Sequence, residues 1–79
     1  MEVTFVVEQA GCASCATRVR AALEPVAAVE SIEIDEAADA AVVRLSGTAS
    51  EDAVGEALAA ASHGSGHAYR VRPGSWQAA

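Results

Sequence analysis

The chain has 79 residues, 52% of them hydrophobic, and a formal net charge of −6 with five arginines and no lysine. That length holds one small hydrophobic core and leaves no room for a second. The acidic balance lacks the basic footprint that nucleic acid and anionic membrane surfaces require, so neither is expected as a partner; it suits solubility and a partner with a basic patch.

The first residues, Met1-Glu2, carry no basic stretch, and the apolar residues after them alternate with polar ones, so no secretory leader is expected. No apolar run approaches the ~18 residues of a membrane span, and direct membrane insertion is not expected. The default address is cytoplasmic. In that compartment a pair of cysteines points to metal binding or catalysis before a structural disulfide.

In chain order, Val3, Phe5 and Val7 alternate with Glu2, Thr4 and Glu8, the pattern of a half-buried strand with Val6 as its one mismatch. Gly11 permits a turn before Cys12. A helix is predicted over Ser14 to Glu24, with Ala16, Val19, Leu23 and Val26 as its apolar stripe and Pro25 as its stop. Residues Val29 to Asp35 predict a second strand, with a bulge or late start because Val29 and Ile32 are out of phase. An acidic turn, Glu36 to Asp39, leads to a third strand in which Ala41, Val43 and Leu45 share a face. Thr48 or Ser50 can cap a second helix with the stripe Val54, Ala57, Leu58 and Ala61. Ser62 to His67 reads as a flexible loop, Tyr69 to Val71 as a short last strand, and Pro73 as an edge or strand end. The domain is expected over residues 1–73, with 74–79 a frayed tail in which Trp76 either packs on the open sheet face or frays.

The order β-α-β-β-α-β predicts an α+β fold: a ferredoxin-like sandwich with two helices on one face of a four-stranded antiparallel sheet.

Cys12 and Cys15 stand between the first strand and the first helix. A helix N-terminus carries partial positive charge and unsatisfied N–H groups, which favour thiolate over thiol, and Arg18 lies one turn further on. Soft thiolates select Cu(I) above all, then Zn(II). Two sulfurs satisfy a near-linear Cu(I) ion but leave Zn(II) short of its four ligands. Two other readings of the pair stand beside this one. Free cysteines often serve as small buried hydrophobes. Thiol–disulfide exchange also uses Cys-x-x-Cys at a helix start, though here the chain is short for a thioredoxin-like fold, the intervening pair Ala13-Ser14 lacks proline, and no aromatic residue precedes Cys12.

With Cys12-Ala-Ser-Cys-Ala-Thr-Arg-Val-Arg-Ala-Ala-Leu23 followed by Val29-Glu-Ser-Ile-Glu-Ile-Asp35, the chain resembles the heavy-metal-associated domains. These include small copper chaperones, mercury-binding proteins and N-terminal domains of metal-transporting P-type ATPases. The resemblance runs from about Val3 to Val71 and implies the same βαββαβ sandwich. It departs from the family in two places. The family's Gly-Met falls on Gln9-Ala10, so a core methionine that supports the loop is replaced by a smaller residue. Before the last strand the family has glycine followed by Tyr, Phe or Lys near the metal, and here Gly66 is followed by His67. His67 is thus either a third metal ligand, a hydrogen-bond partner of the thiolates, or a solvated loop residue. His63 is a weaker candidate, in an apparent insertion. Cys12-x2-Cys15 and His63-x3-His67 have the pair spacings of a C2H2 site, but the pairs lie much further apart than the ~12 residues of a zinc finger. A four-ligand Zn(II) or Cd(II) site would need the histidine loop folded over the cysteine loop.

The acids Glu30, Glu33, Asp35, Glu36 and Asp39 read as a solvated face with no calcium-loop spacing. No Ser/His/Asp arrangement or phosphate-cradling glycine loop is present, and a non-enzyme is expected. The expected function is Cu(I) binding and delivery to a metal-transporting P-type ATPase or another metal-binding domain, by a monomer or a metal-bridged dimer. The alternatives are a Zn(II), Cd(II) or Hg(II) domain using Cys and His ligands, and a thiol–disulfide redox protein.

Overall fold

The computed structural model describes residues 2–78. Seven elements follow in order: β1 (Glu2–Glu8), α1 (Ala13–Leu23), β2 (Ala28–Asp35), β3 (Ala40–Ser46), α2 (Glu51–Ser62), β4 (Arg70–Val71) and β5 (Gln77–Ala78). All strand pairings are antiparallel, in the sheet order β2-β3-β1-β4, and β5 adds to β1 beyond β4. Two helices pack on this sheet in the ferredoxin-like order that the alternation of patterns predicts.

The period-two pattern of β1 places Val3, Phe5 and Val7 in the core. Val6 lies on the other face, opposite Val42 of β3. From β3, Ala41, Val43 and Leu45 join them; from the helices come Cys15, Val19, Leu23, Val54 and Leu58. No charged residue is buried among the described residues, and the Tyr69 hydroxyl is buried without a hydrogen-bond partner, so the core is held by apolar area, about 25 cal/mol per Å² removed from water. The phase break in β2 is a register shift between Val29 and Ser31, the bulge that the pattern requires if Val29 and Ile32 are both to face inward. Pro25 stops α1 differently from expectation. Glu24 keeps helical dihedrals (φ −54°, ψ −40°); the ladder ends because Pro25 has no N–H to donate, and Leu23 O instead accepts from Val26 and Ala27.

The tail corrects the expectation of fraying. Trp76 stacks on Phe5, ring centroids 5.2 Å apart and planes 19° apart, and Gln77 and Ala78 pair with Thr4 and Val3; Ala79 lies outside the described residues. A Pro73-Gly74 turn makes this return possible. Gly74 has φ +81° and Ser75 N–H donates to Arg72 O, the geometry in which proline leads and glycine supplies the positive φ. Ser75 Oγ then accepts the Val6 N–H at 3.1 Å, which stands in for the strand carbonyl displaced by the turn. The signal was in the sequence as Pro-Gly before an aromatic residue.

Chain direction decides which connections meet. β1 ends where β2 turns into β3, because Glu8 pairs with Ala40, and where β4 begins, because Glu8 also pairs with Arg70. The β1–α1 loop, the β2–β3 turn and the α2–β4 loop therefore share one end of the molecule. The start of α2 and β5 lie at the other end, beside Glu2, Val3 and Ser46.

Candidate metal centre

Cys12 is the N-cap of α1, with extended dihedrals (φ −131°, ψ 160°), and its Sγ accepts the Cys15 N–H at 3.2 Å. Sulfur here takes the place an oxygen takes in an ordinary cap. Cys15 sits three residues on, inside the first turn and 1% exposed, whereas Cys12 is half-buried. The first turn of α1 carries no acidic residue, so no carboxylate competes with the sulfurs for the helix-end field. The Ser14 hydroxyl lies 3.4 Å from Cys12 Sγ.

The two sulfurs are joined in a disulfide, with Cα atoms 5.1 Å apart. The sequence favoured a free pair. The cap-and-first-turn spacing brings the two Cα atoms within the range a disulfide spans, so the closeness that would let two thiolates share an ion also lets them bond to each other.

His67 joins the pair. One ligand atom each from Cys12, Cys15 and His67 lies within 4.8 Å of the other two. The histidine is half-buried and its ring stacks on Tyr69, centroids 5.7 Å apart. The surrounding loop is tied down, where its composition suggested flexibility. Ser65 Oγ accepts the His67 N–H at 3.1 Å and donates to Ser62 O at 2.8 Å. Ser62 Oγ in turn accepts the Tyr69 N–H and donates to Leu58 O, both at 2.8 Å. Two serine hydroxyls thus do what a secondary-structure ladder does elsewhere. His63 is placed apart. It is the exposed C-cap of α2 and lines a shallow groove between the helices with Arg18 and a row of alanines. A site of two cysteines and two histidines is not assembled here.

Two further residues shape the loop: Asp39, expected on a solvated acidic face, and Gln9. Asp39 has φ +50°; its carbonyl accepts from Ala10 N–H and its carboxylate from Gly11 N–H, both at 3.2 Å. A Cβ on Gly11 would meet Asp39 Cα at 2.6 Å, so glycine is required by close approach of the two turns. On the other side Gln9, with φ +61°, accepts the Ala68 N–H on its Oε1 at 2.9 Å. Ala10 is fully buried, and it packs in the same core cluster as Cys15 and Tyr69. The signal for Asp39 was an Asp closing a turn, a residue type that tolerates positive φ.

No helix among the described residues is long and apolar enough to cross a membrane. No curated protein sequence matches the chain. Among solved structures, one from work on crosstalk between Cu(I) and Zn(II) homeostasis is 28% identical, covering 87% of this chain and 97% of its own, with a TM-score of 0.59. Oxidized MerP from Ralstonia metallidurans CH34 is 21% identical, covering 91% of this chain and 99% of its own, with a TM-score of 0.61; at that identity the likeness speaks for the fold. The heavy-metal-associated domain matches residues 4–67, a span that holds both cysteines, His67, most of β1 and every element from α1 to α2. With that match over most of its length and a cysteine pair at the start of its first helix, the chain belongs to the heavy-metal-associated domain family.

Proposed function

We propose that the reduced protein binds Cu(I) through the thiolates of Cys12 and Cys15, with His67 as a third donor, and hands the ion to a partner by ligand exchange. The convergence of the three donors within 4.8 Å carries the reading. An ion bonded to two sulfurs at ~2.3 Å holds them roughly 3.8 Å apart in tetrahedral geometry and 4.6 Å when linear, so after reduction the two sulfurs must move to roughly twice the separation of a disulfide bond. Reduction of the Cys12–Cys15 disulfide by a dithiol, which becomes a disulfide in turn as its two protons pass to the cysteines, must come first; metal binding then releases protons from the thiols.

A site of three protein donors at one end of the fold leaves an approach for an incoming thiolate. The acceptor is a metal-transporting ATPase or another domain of this type, and the net charge of −6 favours a partner with a basic face. The chain acts as a cytoplasmic monomer rather than an enzyme. One observation favours a second reading: a nitrogen beside two sulfurs also suits Zn(II) or Cd(II), whose fourth ligand would be water or a partner's side chain.

Anaerobic competition of Cu(I) against Zn(II) on the reduced protein tests this. One Cu(I) per chain, lost when the disulfide is re-formed and weakened by His67→Ala, is the expected result. Failure of the reduced protein to take up Cu(I) would remove the reading. Equal Cu(I) affinity in His67→Ala would reduce the site to its two sulfurs.

A further inference from the structure

Gln9 occupies a backbone conformation that ordinarily selects glycine. Its φ of +61° lies in the left-handed region, where a side chain is disfavoured and glycine is free of the penalty. A strained non-glycine residue beside a functional loop calls for a reason. The side chain is exposed, so burial does not supply one. Its one hydrogen bond does: Oε1 accepts the N–H of Ala68 at 2.9 Å, across a separation of 59 residues. That N–H belongs to the peptide unit that His67 itself begins. His67 is thereby held on both sides, its own N–H by Ser65 Oγ and the next N–H by Gln9. Ser65 ties the histidine to its own loop, whereas Gln9 ties it to the segment that carries the cysteines. Three residues after Gln9 comes Cys12.

We infer that Gln9 is a positioning residue for the metal centre: its side-chain carbonyl clamps the His67 loop to the cysteine loop, so that His67 is presented to the ion as a third donor. The residue does not touch the ion. It shortens the search that the histidine must make, and its removal leaves both sulfurs in place while the nitrogen must be recruited from a looser loop. The clamp therefore biases the site toward ions that use a nitrogen, Zn(II) and Cd(II), more than toward Cu(I) on two sulfurs. This rests on reading His67 as a ligand, and the test below separates failure of the clamp alone from failure of that reading, which takes the clamp with it.

The test is a double-mutant cycle on the reduced protein with Cd(II) alone, read by affinity and by the 113Cd chemical shift, which distinguishes sulfur-only from sulfur–nitrogen donor sets. Gln9→Ala is expected to weaken Cd(II) by about three- to tenfold, the size of one net hydrogen bond, and to move the shift toward that of His67→Ala. In the His67→Ala background, Gln9→Ala should change neither. Gln9→Glu, whose carboxylate accepts the same N–H, should restore the wild-type shift, and amide exchange at Ala68 should quicken only in Gln9→Ala. If Gln9→Ala unfolds the protein, Gln9→Asn, one methylene short, carries the same prediction. Equal losses in both backgrounds would mean a merely structural role and overturn the proposal. So would an unaltered shift in Gln9→Ala when His67→Ala moves it. No effect of His67→Ala on Cd(II) would overturn the ligand reading and the clamp together.

Discussion

The two helices begin at opposite ends of the molecule, and their first turns are built differently. α2 starts with Ser50, whose hydroxyl accepts the Ala53 N–H at 3.1 Å, and carries Glu51 and Asp52 in its first turn. α1 starts with Cys12, whose sulfur takes the capping role, and has no acid in its first turn. Each helix start presents roughly half a positive charge and several unsatisfied N–H groups. At α2 permanent oxygen ligands meet that field, and the result is stability. At α1 the soft donors are the two sulfurs, and on the proposed function the same field favours the negative charge they carry once an ion is bound. The surroundings differ to match. The α2 end is closed by Trp76 on Phe5 and by β5, while the α1 end gathers three connections around the cysteine loop.

This contrast predicts a double dissociation. The largest effect is expected from Cys12→Ser, which keeps a capping side chain and removes a ligand. Metal affinity should fall more than about 100-fold, beyond what loss of an outer hydrogen-bond partner causes, while the melting temperature of the metal-free reduced protein stays close to wild type. Anaerobic titration and a thermal melt on one sample check both halves. A Cys12→Ser protein that binds as well as wild type would break the comparison at its root.

At the opposite end the effects should fall on stability alone. Trp76→Ala is expected to cost about 2 kcal/mol, from lost burial and the aromatic pair with Phe5, measured by urea unfolding, with metal affinity in the folded protein unchanged. Ser50→Ala is expected to cost about 1 kcal/mol by removing the cap, a fall of roughly 4–8 °C in melting temperature for a domain of this size. The smallest effect sharpens the electrostatic half. Glu51→Gln and Asp52→Asn, made singly, should each lose roughly 0.3–1 kcal/mol at low salt, and less as salt rises. A loss independent of salt would show that these acids act through something other than the helix-end field.

The serine and glutamine contacts at the α1 end show where reading along the chain reaches its limit. Strand and helix patterns rest on neighbours in sequence, so Val3, Phe5 and Val7 or Val54 and Leu58 declare their buried faces without any knowledge of the fold. The cysteine spacing is equally local, which is why Cys12 and Cys15 stood out at once. Ser62 to His67 looked flexible because composition carries no record of which hydroxyl meets which amide: Ser65 meets Ser62 O and the His67 N–H, and Ser62 meets the Tyr69 N–H. His63 and His67 were two candidates on spacing alone. The turn of the chain after α2 leaves His63 in the interhelical groove and carries His67 to the sulfurs.

By itself, then, the order of apolar and polar residues determined the βαββαβ succession, the inward faces and the presence of a soft-ligand loop at a helix start, because each depends on periodicity or on residues a few positions apart. Tertiary structure alone decided that the tail returns to β1, that His67 and not His63 meets the cysteines, and that Asp39 and Gln9 brace the loop from either side. Those contacts join segments remote in sequence, and their existence depends on chain direction through the sheet, which brings three loops to one end.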